Sequence, residues 1–216
     1  MKHVPALPDW LLPTESTLSA YVDLLSTTGV EHGLIGPREV PRLWERHVLN
    51  CAVVAEPESD LVPMGATVAD VGSGAGLPGL VWGIARPDIR VVLIEPLLRR
   101  ATFLSQAIDD LGLTGRVEVR RGRAEEITTS PDWSAVDVVT ARAVAPLEKL
   151  LGWTVPLLLP GGRLALLKGS SAAEEIASAA DAAFAMGVRD LGITTCGSPW
   201  VDPETTVVTG TRGTAQ

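Results

Sequence analysis

From residue 67 onward the chain alternates short apolar runs with helical patterns, and that rhythm admits few architectures. Strands are predicted at 67–71, 90–95, 117–120, 136–140 and 162–168, and helices at 78–85, 97–111, 146–158 and 172–186. Strand–helix alternation implies parallel pairing through right-handed crossovers, and near-continuously apolar strands imply helices on both sheet faces. The ending differs. Residues 188–196 and 205–210 are two β-rich runs joined by a Pro-containing loop with no room for a helix, so they pair antiparallel at one sheet edge. The expected fold is α/β and Rossmann-like: a mainly parallel seven-stranded sheet with an antiparallel edge strand and an N-terminal helical extension.

That extension is read at 1–60, packed on a core at 61–212, the whole making one compact domain. Its first helix is predicted at 14–28, with Thr14 as cap, Leu18, Tyr21, Val22 and Leu25 as the apolar face and Gly29 as the stop. A second runs from about 38 to 55, with Leu43, His47 and Asn50 on one stripe and Pro41 in its first turn. Gly213–Gln216 reads as a frayed end.

The first crossover carries the chemistry. Asp70-Val-Gly-Ser-Gly-Ala-Gly-Leu-Pro-Gly79 lies between a strand and a helix, and Gly72, Gly74 and Gly76 let the backbone turn tightly and let a ligand approach closely. An acidic residue, Asp70, precedes the first glycine, Pro78 opens the helix, and Glu95 ends the next strand 23 residues after Gly72, placed for ribose hydroxyls. The glycine spacing departs from the dinucleotide pattern G-x-G-x-x-G, because the third glycine follows the second by two residues. Together these features read as an S-adenosylmethionine site, with Asp70 organising the turn and the ligand's ammonium. A small-molecule methyltransferase and, more remotely, a dinucleotide-binding protein are the competing readings.

Composition excludes several classes. With 216 residues, 46% of them apolar, the chain can bury one full α/β core. No apolar run reaches the roughly 20 residues that span a bilayer, and the N-terminus lacks a signal-peptide apolar region. Cys51 and Cys196 lie far apart and form no metal motif, which suits a reduced, cytoplasmic protein. The net charge of −8 argues against indiscriminate nucleic-acid binding. The arginines, however, are clustered: Arg38, Arg42 and Arg46 at four-residue spacing, Arg99-Arg100, and Arg116, Arg120, Arg121 and Arg123.

An open sheet binds ligands outside the carboxyl ends of its strands. Five candidate positions fall there: the 70–79 turn, Glu95, Arg123-Ala124-Glu125, Ala141-Arg142-Ala143 and Lys168-Gly169. Arg142 and Lys168 interrupt apolar strands at that end, where a buried charge needs a partner.

The runs DVGSGAGLPG, VRRGRAEE, VVTARAVAPL and LALLKG, with Glu45-Arg46-His47-Val48-Leu49-Asn50 upstream, resemble the bacterial small-subunit ribosomal RNA guanine-N7 methyltransferase family, also called glucose-inhibited division protein B. The likeness extends from about residue 20 to 210. It implies a class I methyltransferase fold, S-adenosylmethionine as donor and a guanine N7 acceptor in small-subunit (16S) rRNA; the expected partner is that RNA, free or in an assembling small subunit, with no membrane partner and a monomeric enzyme expected. The family's cofactor contacts fall on Gly72, Leu77, Ala124, Glu125 and Arg142, and its RNA-side cleft on Arg46, His47, Arg142 and Lys168. Arg42 joins the RNA side by its spacing. Many members carry Asn-Leu-Thr where this chain has Gly33-Leu34-Ile35, and Asp-Ser where it has Glu95-Pro96.

Guanine N7 has an exposed lone pair and no proton, so attack needs no strong base. A donor to O6 and neutralised phosphates help instead, and Arg142 and Lys168 are assigned those roles as the catalytic pair. Plainer readings stand beside these. The Arg38/Arg42/Arg46 series also suits a solvated face paired with Glu39 and Glu45, and His47 suits a packed core histidine. Among the tryptophans only Trp44, near Arg42 and His47, is placed as a stacking platform.

Overall fold

The computed structural model describes residues 4–214; Ala215 and Gln216, part of the segment read as frayed, lie outside the described residues. The alternating region comprises β1 (Thr67–Val71), α3 (Gly79–Ala85), β2 (Arg90–Ile94), α4 (Leu98–Asp110), β3 (Val117–Arg120), α5 (Ala124–Ile127), β4 (Val136–Arg142), α6 (Leu147–Thr154), β5 (Leu158–Lys168), α7 (Ala172–Ala185), β6 (Val188–Cys196) and β7 (Thr205–Arg212), preceded by α1 (Glu15–Leu24) and α2 (Asn50–Ala52); the order is as expected, except that α5 is not among the predicted helices and β5 starts at Leu158, where the pattern still reads as helix. The sheet order is β3-β2-β1-β4-β5-β7-β6, with β1 to β5 parallel. β7 pairs antiparallel with both β5 and β6, so the terminal hairpin closes one edge and its second strand is the inner one. The order reverses at β1/β4, which makes the crevice above those two strands the expected ligand position.

Strand alternation separates two cores. In β1, Val68 faces the side of the N-terminal helices, α3 and α4, packing with Leu18, Tyr21, Val48 and Trp82, whereas Ala69 and Val71 face α6 and α7, with Leu150, Leu151 and Ala179. Asp70 shares the parity of Val68, and so its carboxylate is driven into the first core.

The N-terminal segment is less regular than its pattern. A 3-10 turn, Asp9–Thr14, precedes α1, and the Thr14 hydroxyl donates to the Leu11 carbonyl (3.0 Å), so it does not cap α1 with its side chain. Leu18, Tyr21, Val22 and Leu25 are buried as expected. Gly29 is not the stop. It lies buried in a π turn, Leu25–Gly29, and the helix runs on until Gly33 (φ +64°) reverses it, with Gly33 N–H to Val30 O (2.9 Å) and Leu34 N–H to Gly29 O (2.8 Å). That pair of bonds is a Schellman ending.

The second helical segment is continuous in space but changes type: 3-10 at Pro37–Arg42, π at Leu43–Leu49, then α2, then 3-10 at Val53–Ala55. Pro41 sits in the 3-10 part, where its missing N–H is tolerated. The π turn rotates the faces, burying Leu43, Trp44, Val48 and Leu49 and leaving Arg42 and Arg46 exposed. Among the described residues no helix is long and apolar enough to cross a membrane, and no acidic, His or Cys group is arranged to hold a metal.

Candidate functional site

All five rim positions meet at the carboxyl ends of β1 to β5. Gly72 N–H donates to Ile94 O (2.9 Å), and Glu95 N–H donates to Arg120 O (3.2 Å), stitching the three strand ends together. Glu95 is 1% exposed; its two carboxylate oxygens accept main-chain N–H groups from Gly74 (2.9 Å) and Leu97 (2.9 Å). The carboxylate expected at the ribose is thus also the clamp that shapes the glycine turn.

Asp70 is the other clamp. Its Oδ2 accepts Gly79 N–H (3.0 Å) at the start of α3, and its Oδ1 is buried without a partner. Burial pushes this carboxyl up to about 7, against the pull of the Gly79 hydrogen bond. Beneath the turn, the Tyr21 hydroxyl donates to Ala75 O (2.7 Å), so the first helix supports the loop directly. Burial, with Cys51 and Asp70 nearby, raises the Tyr21 phenol well above its usual value.

Gly72 and Gly74 both have positive φ (+71° and +57°) and differ in surroundings. A Cβ on Gly72 would lie 2.9 Å from Val144, whereas one on Gly74 would meet nothing nearer than Gly72 O at 3.8 Å. Val144 comes from the loop after β4, where Ala143 adopts φ +55°, a conformation L-residues seldom take. The loop therefore closes over the first glycine, and the space in front of the second stays open. Leu77 is half-buried at the end of the turn, Gly76 is buried, and Ala124 is buried at the start of α5 with Glu125 exposed beside it.

Arg142, last residue of β4, is held by three acceptors from the second helical segment: Cys51 Sγ (3.0 Å), His47 Nδ1 (3.0 Å) and Arg46 O (3.3 Å). His47 Nε2 lies 2.9 Å from Glu39 Oε2. Burial, then the Arg142 and Arg46 charges, lower the His47 pKa in spite of Glu39. Among the described residues no carboxylate pairs with Arg142. Lys168 is the opposite case: its ammonium donates to Glu175 Oε2 (2.6 Å) and to Ala145 O (2.8 Å), tethering the loop that covers Gly72.

Arg142 and Lys168 open onto a cleft of about 1600 Å³ between the N-terminal segment and the β6–β7 loop, and Arg42 and Arg46 line it too. His47 does not line it; the side chain is 14% exposed and both ring nitrogens are used within the protein. Arg46 stands 3.6 Å from Glu39. Trp44 is 6% exposed and belongs to the core, which corrects its reading as a platform, because the π turn carries it inward. The tryptophan that sequence reasoning missed is Trp200, exposed on the opposite cleft wall. Its only signal was the Pro199-Trp200 pair in a loop with no other assigned purpose.

The family description GidB, rRNA small subunit methyltransferase G, matches residues 14–205. A ribosomal RNA small subunit methyltransferase G of Mycolicibacterium gilvum is 50% identical over 221 residues, covering 100% of this chain and 95% of that protein. One from Salinispora tropica is 54% identical over 192 residues, 88% of this chain and 78% of that protein. Among solved structures, a predicted O-methyltransferase, Atu636 of Agrobacterium tumefaciens, superposes with a TM-score of 0.56 at 20% identity, covering 76% of this chain and 81% of that one. Aeropyrum pernix fibrillarin, solved with natively bound S-adenosyl-L-methionine, gives 0.54 at 15% identity over 76% of this chain and 74% of that one. At such identities the structural likeness is one of fold.

Proposed function

Because the chain belongs to the rRNA small subunit methyltransferase G family, we propose that it transfers the methyl group of S-adenosylmethionine to N7 of a guanine in small-subunit (16S) rRNA. The observation that carries the reading is Arg142: a cation with no carboxylate partner among the described residues, fixed at the β1/β4 switch point and facing a wide cleft. A volume near 1600 Å³ exceeds the several hundred that small-molecule pockets usually offer, which favours a macromolecular acceptor.

The residues suit the donor. The open space before Gly74 admits a ligand against the backbone, and the orphaned, buried Asp70 Oδ1 leaves negative potential under the turn for an ammonium to answer. Gly72, Gly74, Gly76 and Leu77 would hold the amino-acid and ribose side, Glu95 the ribose, and Ala124 and Glu125 the adenine. When bound, the cofactor supplies a methyl already activated on a sulfonium, so the protein's work is mainly positional.

Arg142 uses both Nη2 hydrogens and one Nη1 hydrogen inside the protein, which leaves Nε–H and one Nη1–H as donors. These suit guanine O6. A cation pressed against N7 itself would oppose the positive charge that the purine gains. Lys168 has one ammonium hydrogen beyond those given to Glu175 and Ala145, and its pairing fixes the height of the 143–146 loop over Gly72. Arg42 and Arg46 are proposed to meet phosphates, and His47 to act on the RNA through Arg142. Residues 1–60 and 61–212 serve as one unit in this reading, since the site draws on both, and the enzyme works as a cytoplasmic monomer.

The test is incorporation of labelled methyl from S-adenosylmethionine into unmodified 16S rRNA, naked and as small-subunit particles. Incorporation that falls steeply with added salt is expected, because phosphate contacts release counterions. No incorporation into either substrate by protein with bound cofactor refutes the proposal.

A further inference from the structure

The wall of the cleft facing Arg42, Arg46, Arg142 and Lys168 is the β6–β7 loop, residues 197–204, and it bears the opposite charge: Asp202 and Glu204. Phosphates are repelled there. Trp200 lines the cleft beside these two acids and is 38% exposed, whereas Trp44 and Trp82 are buried and Trp10, Trp133 and Trp153 are half-buried.

The loop is anchored to the substrate side of the molecule. Thr205 Oγ1 donates to Asn50 O (2.9 Å), Val201 N–H donates to Gly197 O (2.9 Å), and Val201 packs against the core that includes Val53. A Cβ on Gly197 would stand 2.8 Å from Val53 Cγ2, so the loop backbone lies directly on the segment that carries Arg42 and Arg46. Pro199 and Pro203 lie on either side of Trp200 in the loop and restrict the backbone at residues 198–199 and 202–203. The cleft thus has a wall rich in arginine, with Glu45 among its residues, and an acidic wall that carries an aromatic side chain.

Resting on the reading above, we propose that Trp200 is the stacking platform for an unpaired nucleobase of the RNA substrate, with the phosphates of that strand on the arginine wall. A base stacks through an uncharged π face, so an aromatic side chain takes it while the arginines take the phosphates. The arrangement selects single-stranded RNA, since a base held in a duplex presents no free face.

The test uses the full chain and a 16S rRNA fragment with the target guanine in an unpaired loop, compared with the same fragment annealed to its complement. Trp200→Leu keeps apolar bulk and removes the aromatic face; Trp200→Phe keeps a face. The leucine variant should raise KM for the loop RNA about tenfold, and the phenylalanine variant no more than about threefold, as loss of one base–aromatic stack implies. S-adenosylmethionine affinity and melting temperature should stay at wild-type values in both. The annealed fragment should be a poor substrate for all three proteins. Wild-type KM in Trp200→Leu overturns the proposal, as does equal use of annealed and loop RNA. A loss of cofactor affinity with KM unchanged overturns it as well, by assigning Trp200 to the fold. Absence of methyl transfer by the wild-type protein itself refutes the broader reading, and the two failures are distinct.

Discussion

His47 Nδ1 lies 3.0 Å from Arg142 Nη2, and this one hydrogen bond defines the state of the site. A guanidinium only donates, so Nδ1 is the acceptor, and the ring proton sits on Nε2 and goes to Glu39 Oε2, 2.9 Å away. A neutral imidazole thereby fixes the arginine without cancelling its charge, which stays available to the cleft.

Protonating His47 removes that acceptor and sets two cations side by side. Its folded pKa is lowered from the ordinary 6.5 by burial first, so the unfolded chain takes up the proton at higher pH than the folded one. The contribution is complete above about 6.5 and is lost as pH falls through the folded value. Methyl transfer should therefore show an acid limb below pH 6.5. His47→Asn, whose Oδ1 can accept from Arg142 and does not titrate, should keep activity and flatten that limb; an unchanged limb assigns it elsewhere.

Arg142→Ala should lower kcat/KM for rRNA by about 10- to 100-fold, the value of one or two charge-assisted hydrogen bonds. Arg142→Lys should recover little, because one ammonium cannot serve Cys51, His47 and Arg46 together and still reach a substrate. Wild-type kinetics in the alanine variant would remove this residue from the site.

Gly74→Val should abolish cofactor binding with the fold retained, since its Cβ would enter the open approach with no protein atom nearer than Gly72 O at 3.8 Å. Some strain at φ +57° accompanies it, about 1–2 kcal/mol. Calorimetric titration with S-adenosylhomocysteine, beside a thermal melt, separates the two effects; undiminished affinity contradicts the placement of the ligand.

Asp70 has a folded pKa raised to about 7 by burial, so stability from this group is present at low pH and lost as pH rises through that value. Asp70→Asn carries no such charge. Its stability relative to wild type should climb between pH 5 and pH 8 by on the order of 3 kcal/mol, the part of the shift from 3.8 to about 7 that falls in that window. Urea titrations at both pH values measure the difference. The buried amide costs the same at each pH, and a pH-independent difference would show that Asp70 is already ionised at pH 5 in the folded protein, so that burial does not raise it.

Most of the sheet was legible because short apolar runs and glycine punctuation are local signals: β1, β2 and β3 are found where their apolar residues put them. The rim constellation followed from topology alone. Trp44 and Gly29 were misread because the π turns at Leu25–Gly29 and Leu43–Leu49 shift the faces that a 3.6-residue period assigns. Thr14 lost its capping role to an unforeseen 3-10 turn. The Glu39–His47–Arg142 link, the cover of Val144 on Gly72 and the position of Trp200 arise between segments distant in sequence, and no local pattern encodes them.

The central claim is most directly tested by nucleoside mass mapping of unmodified 16S rRNA after incubation with this protein and S-adenosylmethionine. The account requires 7-methylguanosine at one guanine in an unpaired loop, formed about 10- to 100-fold more slowly with Arg142→Ala. Methylation of another atom or base, or no methylated nucleoside from protein shown to bind the cofactor, would contradict it.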